Sequence, residues 1–163
     1  MKILVFLHGT IIMHKSGVGV SGEERVKQVK EGEISVNEYS SYAPISKATD
    51  KLRRWQDQGA QILYLSSHKS AEDVAKDKLV LEKFNFPTGE IFFRKNDETY
   101  GDLVENIMPD ILIEDDCESI GGEKEISIFQ VRLEVRDKIK SIIVKEFSGI
   151  DNLPDEISAL KTF

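Results

Sequence analysis

Short runs of consecutive apolar residues constrain the fold of this chain more than any other feature of its sequence. Strands buried on both faces of a parallel sheet carry such runs, whereas strands with one wet face alternate apolar and polar residues. Five segments fit the buried pattern and are predicted to be strands: 2–7, 61–65, 90–93, 110–113 and 140–144. The sequence therefore predicts a central sheet that is mainly parallel.

Amphipathic segments with helical spacing separate the predicted strands. Residues 45–58 place four apolar side chains on one helical face, those of Ile45, Ala48, Leu52 and Trp55. Ser70 has the position of an N-cap, with Asp73 three residues later, and opens a helix that runs to about residue 84. A third helix is predicted over 100–107, before Pro109. Strands that alternate with helices predict an α/β fold with helices on both faces of the sheet.

Polar residues follow three of the predicted strands. The sequences at these points are His8-Gly9-Thr10, Ser66-Ser67-His68 and Glu114-Asp115-Asp116-Cys117. Ligands of open α/β sheets bind beyond the carboxyl ends of the strands. Carboxylates there suit a hard cation such as Mg²⁺, and hydroxyl and backbone N–H groups suit a phosphate. The competing interpretation is that loops at a sheet edge are ordinarily polar and that Asp-Asp caps a helix.

The order of these strand ends resembles the haloacid dehalogenase (HAD) superfamily, whose members are mostly phosphohydrolases. The first motif of that family, a hydrophobic strand ending Asp-x-Asp-Gly-Thr, is matched by residues 6–10, Phe-Leu-His-Gly-Thr. Ser66 matches the second motif, and Asp115 with Asp116 matches the acidic fourth motif. The resemblance covers about residues 1–120. It implies a three-layer, Rossmann-like fold, and the length of 163 residues suits a single domain, 1–163.

The chain departs from the family where the chemistry is concentrated. In the family, the first Asp of the first motif attacks phosphorus and ligates Mg²⁺, and the second acts as acid and base. Phe6 and His8 stand at these positions, and residues 1–22 contain no Asp that a shifted register could supply. Phenylalanine can neither attack nor coordinate, whereas histidine exchanges protons near neutral pH and can retain the second role. The third motif, a lysine, has no clear match near Arg94, Lys95 and Tyr100.

These considerations predict a set of site residues. The phosphate ligands are predicted to be Gly9, Thr10, Ser66, Ser67, His68 and Lys95, and His8 is the candidate catalytic residue. Asp115 and Asp116 are predicted to hold a metal, Mg²⁺ by the resemblance. Zn²⁺ or another transition metal is the alternative, with His14 and Cys117 as additional ligands, because imidazole and thiolate suit such ions. Against this, isolated histidines often make ordinary hydrogen bonds, and a buried cysteine behaves as a small hydrophobe.

Three functions remain open at this point. The first is a non-catalytic domain that binds a small phosphorylated molecule or a divalent metal. The second is an active metal-dependent phosphohydrolase in which metal-bound water attacks and His8 handles protons. The third is a structural or interaction domain that keeps the sheet but no longer uses the site. A polar insertion over residues 13–44 is either a small cap or lid or a plain surface excursion.

Composition excludes several other classes. The net charge of -7 opposes a general nucleic-acid role, which requires an excess of basic residues. A single cysteine excludes an intramolecular disulfide, and no apolar run is long enough to span a membrane, so a cytoplasmic location is predicted. The oligomeric state is left open. Residues 126–135 alternate loosely and predict an edge strand or hairpin arm.

Overall fold

The computed structural model describes residues 1–163 and contains seven strands. They are numbered along the chain: β1 (Lys2–Phe6), β2 (Ile12–Met13), β3 (Ala43–Pro44), β4 (Gln61–Leu65), β5 (Ile91–Phe92), β6 (Ile111–Asp115) and β7 (Lys140–Val144). Five of them form one parallel sheet in the order β5-β4-β1-β6-β7, and β2 pairs with β3 in a separate antiparallel ribbon. The five strands predicted from sequence are thus confirmed, with ends that differ by at most two residues.

Six helices surround the sheet: α1 (Gly22–Glu31), α2 (Ala48–Asp57), α3 (Ala71–Lys83), α4 (Tyr100–Ile107), α5 (Leu133–Arg136) and α6 (Ile157–Leu160). The predicted cap of α3 is present, since the Ser70 hydroxyl oxygen accepts a hydrogen bond from the backbone N–H of Asp73 at 3.1 Å. The predicted apolar face of α2 is fully buried. The helix predicted over 100–107 is α4, which a capping box between Thr99 and Asp102 opens.

Successive side chains of β1 enter two different apolar layers, as the pleat of a strand requires. Ile3 and Val5 pack in the cluster that contains the buried face of α2, whereas Leu4 packs in the cluster that contains α4. Helices therefore cover both faces of the sheet. This confirms the predicted three-layer α/β fold with a parallel central sheet.

The prediction of an edge strand or hairpin arm over residues 126–135 is wrong. This segment forms 3-10 turns at Gly122–Glu125 and Ser127–Gln130, followed by the short helix α5. The buried Glu114 carboxylate accepts hydrogen bonds from the backbone N–H groups of Ser127 and Ile128, which fixes the second turn against β6. Ile126, Ile128 and Val131 enter one core cluster from turns and not from a strand, whereas Leu133 is exposed.

The insertion at 13–44 consists mainly of α1 and three 3-10 turns, Lys15–Gly17, Ile34–Asn37 and Tyr39–Ser41. The ribbon of β2 and β3 closes its two ends. None of the helices has both the length and the apolar character needed to cross a membrane.

Candidate functional site

The parallel register of β1 with its two neighbours brings the polar strand ends together. Phe6 lies opposite Leu65 of β4, and Val5 lies opposite Ile113 of β6. Because all three strands run in the same direction, the residues that follow them share one rim. A cavity of about 240 Å³ opens there, lined by these strand ends and by residues of the insertion: Phe6, His8, Gly9, His14, Tyr42, Ser67, Asp115 and Cys117.

A larger cavity of about 450 Å³ lies between α3 and the β5 edge of the sheet. Its lining is mainly apolar and contains none of the polar strand ends. The smaller cavity at the rim is therefore the candidate site.

Three carboxylates meet on the β6–β7 side of the rim. Asp115, Asp116 and Glu146 each offer an oxygen atom, and these atoms lie within 4.8 Å of one another. Burial raises the pKa of both Asp115 and Glu146, and neighbouring carboxylates of the group raise both further. None of the salt bridges in the structure includes any of the three. The group therefore concentrates negative charge without a protein cation to balance it.

Hydrogen bonds hold this carboxylate group in place. Asp115 accepts from the Thr10 hydroxyl at 2.7 Å and from the backbone N–H of Cys117 at 2.9 Å. Asp116 accepts from the backbone N–H of Glu146 at 3.0 Å, and Glu146 accepts from both donors of Ser119. A carboxylate offers about four lone-pair sites, so each retains capacity for another partner. Oxygen donors with unbalanced charge fit the hard cation Mg²⁺.

Sequence reasoning missed Glu146 because β7 was not among the strands whose ends looked polar. Glu146 lies two residues beyond the end of β7, at the same rim as Asp115. Reading the residues after every predicted strand, including the last, would have found it.

Arg94, Tyr100 and Phe6 form one wall of the cavity. The Arg94 guanidinium carbon lies 3.9 Å from the centre of the Tyr100 ring, and the Phe6 ring meets the same ring edge-on at 5.2 Å. Arg94 pairs with no carboxylate, and its buried Nε atom has no hydrogen-bond partner. The cavity is thus lined by an unpaired cation as well as by unpaired carboxylates.

Several predicted phosphate ligands do not face the cavity with a free donor. Lys95 is exposed and lies outside the cavity lining, because its neighbour Arg94 is the residue that turns inwards. The hydroxyls of Thr10 and Ser66 are buried and donate to Asp115 and Asp77. The N–H of Gly9 donates to the carbonyl of Ile12.

Gly9 instead allows a close approach of Asp115. A Cβ atom at this position would stand 2.9 Å from Asp115 Oδ2, and the φ of +80° is one that residues with a side chain rarely adopt. Of the predicted phosphate ligands, Ser67 is the one that lines the cavity with a side-chain donor.

His8 lies between two polar partners. Its Nδ1 atom is 2.8 Å from the Ser67 hydroxyl oxygen, and its Nε2 atom is 3.0 Å from Asp77 Oδ1. Burial by itself would raise the pKa of Asp77, but the nearby His68 imidazole and the hydrogen bonds of His8 and Ser66 outweigh it and hold that pKa below its usual range. Asp77 is therefore ionised, and it orients the His8 ring.

Sequence reasoning also missed Asp77. It lies on the buried face of α3 between Val74 and Leu81, where a carboxylate replaces the expected apolar residue. A charged residue on an apolar helical face is the signal that could have found it, since such groups are rarely buried without a partner.

His14 and Cys117 line the cavity but belong to neither group of potential metal ligands. His14 Nε2 is 2.7 Å from the side-chain oxygen of Gln28. Burial raises the pKa of the Cys117 thiol, as do the carboxylates around it, and this disfavours the thiolate that metals bind.

Comparison with solved structures shows similarity to a class C acid phosphatase from Bacillus anthracis, whose crystal structure has tungstate bound. The TM-score is 0.55 and the sequence identity 16%, and the match covers 99% of this chain and 76% of that chain. At this identity the likeness establishes the fold alone, and it supports the HAD-like architecture predicted from sequence. No protein-family model and no curated protein matches the sequence.

Proposed function

We propose that this HAD-like chain binds a small phosphate-bearing molecule together with a divalent cation in the cavity at the strand ends. One observation carries the proposal. The same cavity is lined by an unpaired cation, Arg94, and by two buried carboxylates without a counter-cation, Asp115 and Glu146. A ligand that presents a phosphate and a metal ion complements both.

The cation would be held by Asp115, Asp116 and Glu146, and Mg²⁺ suits their oxygen donors. When bound, it would neutralise the carboxylate group and part of the phosphate charge. Thr10 keeps the Asp115 carboxylate in its orientation by donating its hydroxyl proton.

The phosphate would be held by Arg94 and Ser67. A guanidinium presents several N–H donors in one plane, which suits phosphate oxygens, and stacking on Tyr100 fixes that plane. The tungstate bound to the class C acid phosphatase is a tetrahedral oxyanion, which agrees with an anion site in this fold. Phe6 supplies no nucleophile, so the proposal is binding without transfer to residue 6.

Hydrolysis of a phosphate ester is the second candidate, and the geometry of His8 favours it. With its proton on Nε2, His8 donates to Asp77 and can accept the Ser67 hydroxyl proton at Nδ1. An imidazole oriented by a carboxylate and within hydrogen-bond reach of a hydroxyl is the arrangement of a general base.

Binding of inorganic phosphate in the presence of Mg²⁺ tests the leading proposal. Isothermal titration of the full chain is expected to show binding that weakens about 10- to 100-fold in Arg94→Gln, since hydrogen bonds to charged groups contribute about 1.5–3 kcal/mol. Lys95→Gln removes the same charge one residue away, outside the cavity, and is expected to bind like the parent chain. An equal loss of phosphate affinity in both variants would show that binding depends on the net charge of the chain and not on this site.

Asp115→Asn tests the cation half of the same site. The variant is expected to abolish the dependence of phosphate binding on Mg²⁺ while leaving the Arg94 wall unchanged.

A screen of phosphate esters with Mg²⁺, Mn²⁺ and Zn²⁺ distinguishes the binding function from the hydrolytic one. Turnover by the parent chain that disappears in His8→Ala would replace the binding function with the hydrolytic one.

A further inference from the structure

A second group of potential metal ligands lies on the β1–β4 side of the rim. His8 follows β1, His68 follows β4, and Asp77 comes from α3. One ligand atom from each side chain lies within 4.8 Å of the other two, and the group shares no residue with the three carboxylates. Both imidazoles direct Nε2 at one oxygen, Asp77 Oδ1, at 3.0 Å for His8 and 3.5 Å for His68.

The polypeptide supplies no hydrogen bond to the Nε2 atom of His68. The His68 side chain is only 10% exposed, and this atom is buried. A buried polar group without a hydrogen bond destabilises the folded chain, so the arrangement favours a partner that the polypeptide does not supply. The ring of Tyr39, from the insertion, lies 4.1 Å from the His68 ring and covers it.

Asp77 also lacks a cationic partner other than the imidazoles. Its side chain is 1% exposed. The nearby Lys76 pairs with Asp73 at 2.8 Å and with Glu72 at 3.8 Å, not with Asp77. A buried carboxylate whose only potential cationic partners are two imidazoles therefore presents an oxygen atom that a metal ion would bind.

The spacing of these atoms fits a tetrahedral ion. Bonds of about 2.0–2.1 Å at tetrahedral angles place neighbouring ligand atoms about 3.3 Å apart, between the two separations observed. The outer contacts fit as well. The Ser67 hydroxyl oxygen is 2.8 Å from His8 Nδ1, and the Ser66 hydroxyl donates to the other oxygen of Asp77 at 2.6 Å. Such contacts orient metal ligands and fix their tautomers.

We infer that His8, His68 and Asp77 form a binding site for a transition-metal dication of the Zn²⁺ class. Two imidazoles and one carboxylate are the donors that such ions prefer, whereas Mg²⁺ prefers oxygen donors throughout. Three protein ligands leave a fourth tetrahedral position for water. The site is separate from the carboxylate group proposed to hold Mg²⁺.

Titration of the chelator-treated full chain with Zn²⁺ and with Co²⁺ tests this inference. One equivalent of Co²⁺ is expected to give the visible absorption of a tetrahedral complex, and Zn²⁺ is expected to displace it. His68→Ala should weaken binding by more than about 100-fold, since even loss of an outer contact commonly costs 10–100-fold. His14→Ala is the matched control, because His14 is also buried but bonds to Gln28 and is expected to leave binding intact.

Two further measurements keep the test decisive. His68→Gln preserves size and polarity in case the alanine variant folds poorly, and it should also lose the Co²⁺ spectrum. In the parent chain, imidazole NMR signals of two histidines should shift on saturation with Zn²⁺ while that of His14 stays in place. Absence of stoichiometric binding, or binding that is lost in Asp115→Asn and kept in both His68 variants, would overturn the inference.

Discussion

Replacement of Glu114 by glutamine tests how a buried carboxylate of β6 affects the stability of the folded chain. Glu114 belongs to β6, is 2% exposed, and accepts hydrogen bonds from the backbone N–H groups of Ser127 at 2.7 Å and Ile128 at 3.0 Å. Burial raises its pKa to about 7, against the lowering effect of those hydrogen bonds. Glutamine keeps the shape of the side chain and removes its titration.

The magnitude follows from the two pKa values. Below pH 4.5 the Glu114 carboxyl is protonated in both the folded and the unfolded chain. Between pH 4.5 and about 7 the unfolded chain loses the proton while the folded chain retains it, so the free energy of unfolding falls as the pH rises. The interval corresponds to about 3 kcal/mol.

Urea unfolding between pH 4 and pH 8 measures this effect, with fluorescence of Trp55, the single and fully buried tryptophan, as the probe. Relative to the parent chain, Glu114→Gln should gain about 3 kcal/mol as the pH rises through this interval. Taking the difference removes the contributions of Asp115 and Glu146, whose raised pKa values act in the same direction. Glu123→Gln, at an exposed position, is the control. A difference that stays constant with pH would refute the reasoning.

Two further substitutions test the close packing of α4 at Gly101 and the contribution of residue 6 to cation binding. Gly101→Ala should destabilise the chain by about 1–3 kcal/mol in urea unfolding, because a Cβ atom would stand 2.2 Å from the carbonyl oxygen of Gln130, whereas Gly22→Ala meets open space and should not. Equal stabilities would contradict the close packing of α4 on the 127–130 turn. Phe6→Asp adds a carboxylate to the cavity and should tighten Mg²⁺ binding about tenfold in calorimetry, at a cost of about 2 kcal/mol in stability. Phe6→Leu, which adds no charge, is its control, and Mg²⁺ affinity that is the same in both would count against a cation site beside residue 6.

The sequence determines the sheet well because burial on both faces leaves a strong local signal. Residues 61–65 and 140–144 are predicted with the ends that the structure has, since an apolar run closes each strand, at residues 62–65 and 142–144. The same reasoning fails at 126–135. There the alternation arises from turns whose backbone is fixed by the distant Glu114, a contact that no local pattern encodes.

The sequence predicts which strand ends form the candidate site, but it does not predict the direction in which each side chain points. His8, Ser67 and Asp115 all line the cavity at the strand ends. The Ser66 hydroxyl turns away because Asp77, a residue of α3, offers it a buried acceptor. Such choices depend on partners that are remote in sequence, so residue type and position alone cannot settle them.

The side chains at the end of β1 explain why the potential metal ligands at the rim form two separate groups. A carboxylate on β1 would stand between the neighbouring strands and could contribute to either side. Phe6 instead packs edge-on against Tyr100, and β1 offers only His8, whose ring is bonded towards Ser67 and Asp77 on the β4 side. The carboxylates on the β6 side are left to assemble among themselves, with Glu146 from beyond β7 as the additional member. Because the two groups share no residue and differ in donor type, we expect them to select different ions, and we expect substitution to remove each without dismantling the other.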